Sequence, residues 1–211
     1  MKRLLILCAA VFALVAGNAF ADVGGNRITS SPSATGVSIG NGFIYWIRFT
    51  APASGTVDSI GGWFRDNDDG SGSVILMLHD TTGATGTAPG VFLDSTDRFD
   101  INIGGGFGVF AEVVAATNVG YSVVSGKQYM VGVHGVAATG ADYVARDNAV
   151  PNNYLTDSTW VLNVTDPLPI ADPIGASTKT VEAAYCLFVV ITPAGGGGGG
   201  GSGPRVLIRN H

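Results

Sequence analysis

Cysteine is nearly missing from this chain: Cys8 and Cys186 are the only two in 211 residues. Cys8 lies in an apolar leader that is expected to be removed, which leaves Cys186 alone and excludes an intrachain disulfide. Zinc motifs are absent too: no C-x-x-C, H-x-x-x-H or H-E-x-x-H occurs among the three histidines and two cysteines. Lysine and glutamate are scarce. After the leader only Lys127, Lys179, Glu112 and Glu182 remain, so two strong helix formers are all but missing while Val, Thr, Gly and Asp abound. Basic charge is lacking as well. Without Lys2 and Arg3, nine basic residues face sixteen acidic ones, a formal charge of −7. That balance argues against nucleic acid as a partner and against anionic membrane surfaces.

What is present begins with an address. Lys2 and Arg3 form a cationic start, Leu4 to Val15 an apolar run, and Ala19-Phe20-Ala21 the small-x-small pattern of a signal peptidase site. Residues 1–21 are therefore expected to be a secretory signal, with the processed chain starting near Asp22. The apolar run is short for a membrane span and no second one of spanning length follows, so the protein is expected to be exported and not inserted in a membrane.

Residues 22–41 read as an extended N-terminal arm or short edge strand. The folded domain is expected over 42–194. In Phe43-Ile44-Tyr45-Trp46-Ile47-Arg48-Phe49-Thr50 every second residue is large and apolar, which places 43, 45, 47 and 49 on one sheet face. Further strands are expected at 56–65, 73–79, 91–95, 98–103, 108–114, 121–124, 128–136, 160–164 and 181–191. Ser73 to His79 is apolar on both faces, as a central strand would be. Ser125-Gly126-Lys127 reads as a hairpin turn, Asp142 to Leu155 as a polar excursion, and Pro167, Pro169 and Pro173 as a loop. Short strands separated by turns, with no helical stripe between them, predict an all-β fold: an antiparallel β-sandwich of jelly-roll type.

Gly195 to Gly201 are seven consecutive glycines, a flexible tether to the β-prone segment Arg205-Val206-Leu207-Ile208-Arg209. Residues 195–211 read either as a disordered tail or as a peptide offered for strand addition, to a partner's sheet edge or to the chain's own.

Candidate chemistry is sparse. Gly36-Val37-Ser38-Ile39-Gly40 spells a nucleophile elbow but lacks the strand and helix such an elbow joins. His79 and His134 each close an apolar strand, where a hydrogen bond at the sheet rim is the usual fate. Cys186, in an apolar stretch, reads as a buried thiol. Asp66, Asp68 and Asp69 offer three carboxylates within four residues, a set suited to Ca2+ outside the cell or simply to a solvated turn. The remaining lead is aromatic. Trp46, Trp63, Tyr143, Tyr154 and Trp160 do not all fit evident core positions, and the last three bracket a run of Asn, Asp and Arg. Rings that stack on a pyranose, beside amides and carboxylates that take its hydroxyls, make Tyr143, Asp147, Asn152, Tyr154 and Trp160 the candidate ligand-binding set. The alternative is that these rings complete the sheet faces.

The segments Phe49-Thr50-Ala51-Pro52, Gly55-Thr56-Val57-Asp58-Ser59-Ile60, Gly72 to Asp80, Pro89-Gly90-Val91-Phe92-Leu93-Asp94-Ser95 and Val124 to Val133 follow one another in a recurrent order. From Phe49 to Gly135 the chain resembles bacterial and phage extracellular jelly-roll modules. The resemblance implies a non-catalytic part of a surface, adhesive or polysaccharide-handling protein, and it carries over no site residues. The function expected is thus an exported, non-enzymatic binding module for a glycan or surface polymer, without a resident cofactor unless the Asp66 turn holds Ca2+. The alternative is a structural subunit of an extracellular or virion-associated assembly, self-associating through the tethered tail.

Overall fold

The computed structural model describes residues 21–27, 36–66, 72–82, 90–101, 109–136, 139–146, 154–163, 178–179, 185–194 and 207–209. Of residues 139–142, 154–163, 178–179 and 207–209 it gives the backbone alone. Residues 1–20 of the leader, the proline loop, and Asp68, Asp69, Asp147 and Asn152 lie outside this set. Every described element is a strand, and every pairing between strands is antiparallel.

Among the described residues, fourteen strands form two sheets. Sheet A contains β1 (Asp22–Gly25), β2 (Gly36–Gly40), β4 (Gly55–Arg65), β8 (Ala111–Val123), β10 (Thr139–Ala145), β13 (Leu187–Pro193) and β14 (Leu207–Arg209). Its axis is β4, which pairs along one side with β8. On the other side it pairs with β13 from Gly55 to Gly62 and with β10 at Phe64 and Arg65. Sheet B runs β12 (Thr178–Lys179), β11 (Tyr154–Asn163), β3 (Phe43–Thr50), β9 (Gln128–Gly135), β5 (Ser73–Asp80) and β6 (Phe92–Ser95), with β7 (Phe99–Asp100) also on β5.

Strand alternation explains how the sheets meet. Tyr45, Ile47 and Phe49 of β3, Val74, Leu76 and Leu78 of β5, and Tyr129, Val131 and Val133 of β9 face inward from sheet B. They pack on Val57, Ile60 and Phe64 of β4 and Leu187, Val189 and Ile191 of β13 from sheet A. One continuous core thus lies between two layers, the sandwich arrangement. Each such side chain stabilises the fold by about 1.5–3 kcal/mol.

Several expectations need correction. The segments around 108–114 and 121–124 form a single thirteen-residue strand, β8, which stays paired to β4 through a register shift at Val57/Ser59. Ser125-Gly126-Lys127 does not close a hairpin, because β8 belongs to sheet A and β9 to sheet B. Gly126 sits at φ 78° and Lys127 N donates to Val124 O at 3.1 Å, so a tight turn exists. Ala51 ties that turn down by exchanging backbone bonds with Gly126 and Lys127, and the chain thereby changes layers. The polar excursion also contains structure: β10 and the start of β11 lie within 139–155, where polar residues hide the period of two. Within 22–41 the edge-strand alternative holds, twice over, for β1 and β2 occupy the two margins of sheet A.

Candidate functional site

The rings singled out by sequence go to three different places. Trp46 and Trp63 are core, at 0% and 1% exposure, so for these two the alternative holds and the rings complete the sheet faces. Trp46 alternates away from the inner face, as its position requires. It is buried with Ile44, Ile75, Met77 and Met130 on the back of sheet B, edge-on to His79. Tyr154 and Trp160 lie on β11 in sheet B, in register with Phe49 and Trp46. Tyr143 lies on β10 in sheet A. The candidate set is therefore divided between the two sheets.

Tyr143 has new neighbours instead. Cross-strand partners share a sheet face, and the register aligns Arg65 of β4, Tyr143 of β10 and Ser38 of β2 in one row on the back of sheet A. Phe110 stands just before β8, whose Ala111 pairs with Phe64. The Arg65 guanidinium is held between two rings, 4.6 Å from the centroid of Tyr143 and 4.7 Å from that of Phe110. Beneath lie Trp63, Ala145 and Cys186, fully buried. Cys186 sits where β13 and β10 divide along β4: its N–H donates to Ala145 O at 2.8 Å and its carbonyl accepts from Trp63 N at 3.0 Å. Its thiol is buried, as expected, and accepts from Asn26 Nδ2 at 3.9 Å.

The patch is amphipathic. Arg65 and Tyr143 are half-buried, Arg146 at the end of β10 is exposed, and Asp66 follows Arg65 directly. Arg65 Nε is buried and meets no acceptor among the described residues. A buried unpaired donor costs about 1–3 kcal/mol, so its position favours any group that supplies an oxygen. A planar guanidinium with its faces on rings and its edge free is suited to carboxylate or paired hydroxyls. Arg65 and Phe110 were not among the sequence candidates. The signal was available in the alternation of Trp63 and Arg65 opposite Phe64, but the Phe110 contact depends on strand order.

Other singled-out residues turn out to be structural. His79 and His134 are buried, and His79, next to the end of β5, makes the expected hydrogen bond, its Nδ1 donating to Gly90 O at 3.0 Å while its ring meets Phe92 edge-on. Asp80 closes the neck of the following loop, its Oδ1 accepting from Thr82 N at 2.9 Å and Val91 N at 3.0 Å. Asp94, 1% exposed, accepts from Val119 N at 3.2 Å and Gly120 N at 2.9 Å, pinning β6 to the bend of β8. These two carboxylates account for much of the Asp in the recurrent motif. Gly36 to Gly40, the elbow-like sequence, is the strand β2, and Ser38 presents its carbonyl to Tyr45 OH at 2.7 Å. Burial, and secondarily the neighbouring Tyr185, push the Tyr45 phenol up from 10.0 to about 12. No group of three metal-ligating side chains occurs among the described residues.

Compared with known proteins, the chain matches no family model and no curated sequence.

Proposed function

We propose that this protein is an exported, non-catalytic β-sandwich of jelly-roll type that binds a glycan or surface polymer through the back of sheet A. The observation that carries the reading is Arg65, stacked between Phe110 and Tyr143 with its buried Nε unsatisfied. Rings flanking an arginine edge suit saccharides that bear carboxylate or vicinal hydroxyl groups. A glycan array that includes uronic-acid polymers tests it. Binding to an acidic saccharide that Arg65→Ala and Tyr143→Ala each reduce tenfold or more is the expected result. No saccharide bound, or binding lost only in Tyr154→Ala and Trp160→Ala, removes sheet A as the site. The Asp66 turn is offered as a Ca2+ position on composition alone. A melting temperature unchanged by chelator discards it, since a ligand held only by the folded state raises stability.

A second reading is favoured by a separate observation. Leu207, Ile208 and Arg209 pair with Val114, Val113 and Glu112, so the tail can act as an added strand. On that reading the protein is a subunit of an extracellular or virion-associated assembly connected through its tail. It fails if sedimentation shows the same size with and without residues 195–211.

A further inference from the structure

We propose that the tail is an exchangeable strand: β14 of one copy docks on the β8 edge of a second copy of this chain and links copies into oligomers. The proposal rests on the connector reading just given and adds the acceptor, its register and the identity of the partner.

The acceptor is specific. Among the described strands, the only one besides β4 paired with β8 is β14, through Leu207↔Val114, Ile208↔Val113 and Arg209↔Glu112. Without the tail, that stretch of β8 would present free backbone donors and acceptors, the usual template for strand addition. The register defines which edge this peptide complements, and every copy carries both halves.

The hold is small. Three residue pairs form few hydrogen bonds, each contributing about 0.5–1.5 kcal/mol net, so the docked tail is released easily compared with the core. The tether is equally permissive. Pro193 registers on Gly55 of β4, and Val114, the partner of Leu207, registers on Gly61. Six residues along β4 and three strand spacings across it separate the tether ends by roughly 25 Å. A glycine-rich connection of this length has a root-mean-square span of roughly 20 Å and a contour of nearly 50 Å. Docking at home therefore stretches the tether beyond its relaxed span, while its full length reaches well past its own edge. The tail also departs beside β13 and lands beyond β8, on opposite flanks of sheet A. Donor and acceptor surfaces are thus distinct, the heterologous arrangement that links molecules head to tail.

Home docking competes with exchange through an effective concentration on the order of millimolar, so exchange should grow with protein concentration and dominate where copies are crowded. Two full-chain variants, each expressed with its own leader, test this: Val114→Cys and Leu207→Cys. Facing Cα atoms in such a ladder lie within disulfide range, and Cys186 is buried and does not compete. Mixed and oxidised below the millimolar range, the two should give a Val114–Leu207 interchain dimer whose yield rises about tenfold for a tenfold rise in concentration. Leu207→Cys mixed with Val119→Cys, an exposed position outside the register, should give far less. The double variant, closed on itself at low concentration, should stay monomeric at any higher one. Equal yields with Val119→Cys, or an intrachain bond in the double variant with no interchain product in the mixture, overturn exchange. The parent reading is judged separately: if deleting 195–211 shrinks the assembly while no interchain bond forms, the tail connects elsewhere and only the present inference falls.

Discussion

Trp46 and Trp63 are the same side chain, almost equally buried, on the backs of two different sheets, and their surroundings differ in kind. Among the described residues, Trp46 is buried with Ile44, Ile75, Met77 and Met130, with His79 edge-on, and Arg48 follows on the same face of β3, in register with Met130. Trp63 is covered by a mixed layer in which Arg65 stacks on Phe110 and Tyr143. Nearby, Arg27 lies 4.7 Å from the Phe188 ring centroid while paired with Glu112 at 2.7 Å and 3.2 Å. Rings roofed by arginine stay compatible with water because the half-buried arginine places a charged group over them. Rings roofed by methionine and isoleucine do not. Sheet B is buried on both faces at its centre, whereas on the back of sheet A Arg65 and Tyr143 stay half-buried.

The largest test of this contrast is Trp46→Ala, which should cost about 3–5 kcal/mol in urea unfolding. A loss below about 1 kcal/mol would mean that the back of sheet B is not core. Gly132 sharpens the point, since a Cβ there would overlap the Trp46 indole. Gly132→Ala alone should cost about 1–3 kcal/mol, and combined with Trp46→Ala much less than the sum, a coupling that a double-mutant cycle reads directly.

Next comes Arg27→Ala on the back of sheet A. It strands the buried Glu112 carboxylate and uncovers Phe188, and should lower stability by about 1–3 kcal/mol. Arg27→Lys should recover only part, because the bidentate fork and the ring contact both need a planar cation. Full recovery would reduce this layer to simple charge.

Tyr45, between the sheets, provides a reference that neither back should affect. Its phenol titrates near 12 when folded and near 10 when unfolded. The unfolded chain therefore loses its proton first. This contribution is complete below pH 10 and is lost as pH rises from about 10 to about 12. Tyr45→Phe should flatten that alkaline slope and cost about 1 kcal/mol at neutral pH through the lost bond to the Ser38 carbonyl. An unchanged slope would assign the alkaline loss to other groups.

The smallest effect on stability belongs to Arg65→Ala, about 1 kcal/mol or less for a half-exposed cation–π pair. A cost as large as that of Trp46→Ala would make the two backs equivalent and remove the basis for calling one of them a binding face.

Legibility followed the same division. Strands with strong alternation, such as 43–50 and 128–135, were readable because one face is apolar and the period of two survives in the letters. β10 and the first half of β11 were not, because their segment is too polar to display which face is inward. The tightness of the turn at Gly126 was readable, but not whether it joins neighbours in one sheet or crosses between two. Local turn chemistry is the same in both cases. Of the candidate site, Tyr143 was visible as a ring beside polar residues, while Arg65 and Phe110 become its neighbours only through the side-by-side placement of β8, β4 and β10.

The amino-acid order alone determined that this chain makes strands, which of their faces are greasy, and that a β-prone tail hangs on seven glycines. Those are local properties, set by side-chain volume, branching and backbone freedom over a few residues. Which sheet each strand joins, which tryptophan is roofed by arginine, and which edge takes the tail were decided by the tertiary structure. Such contacts join residues tens of positions apart, and their energies exist only once the two layers have closed on each other.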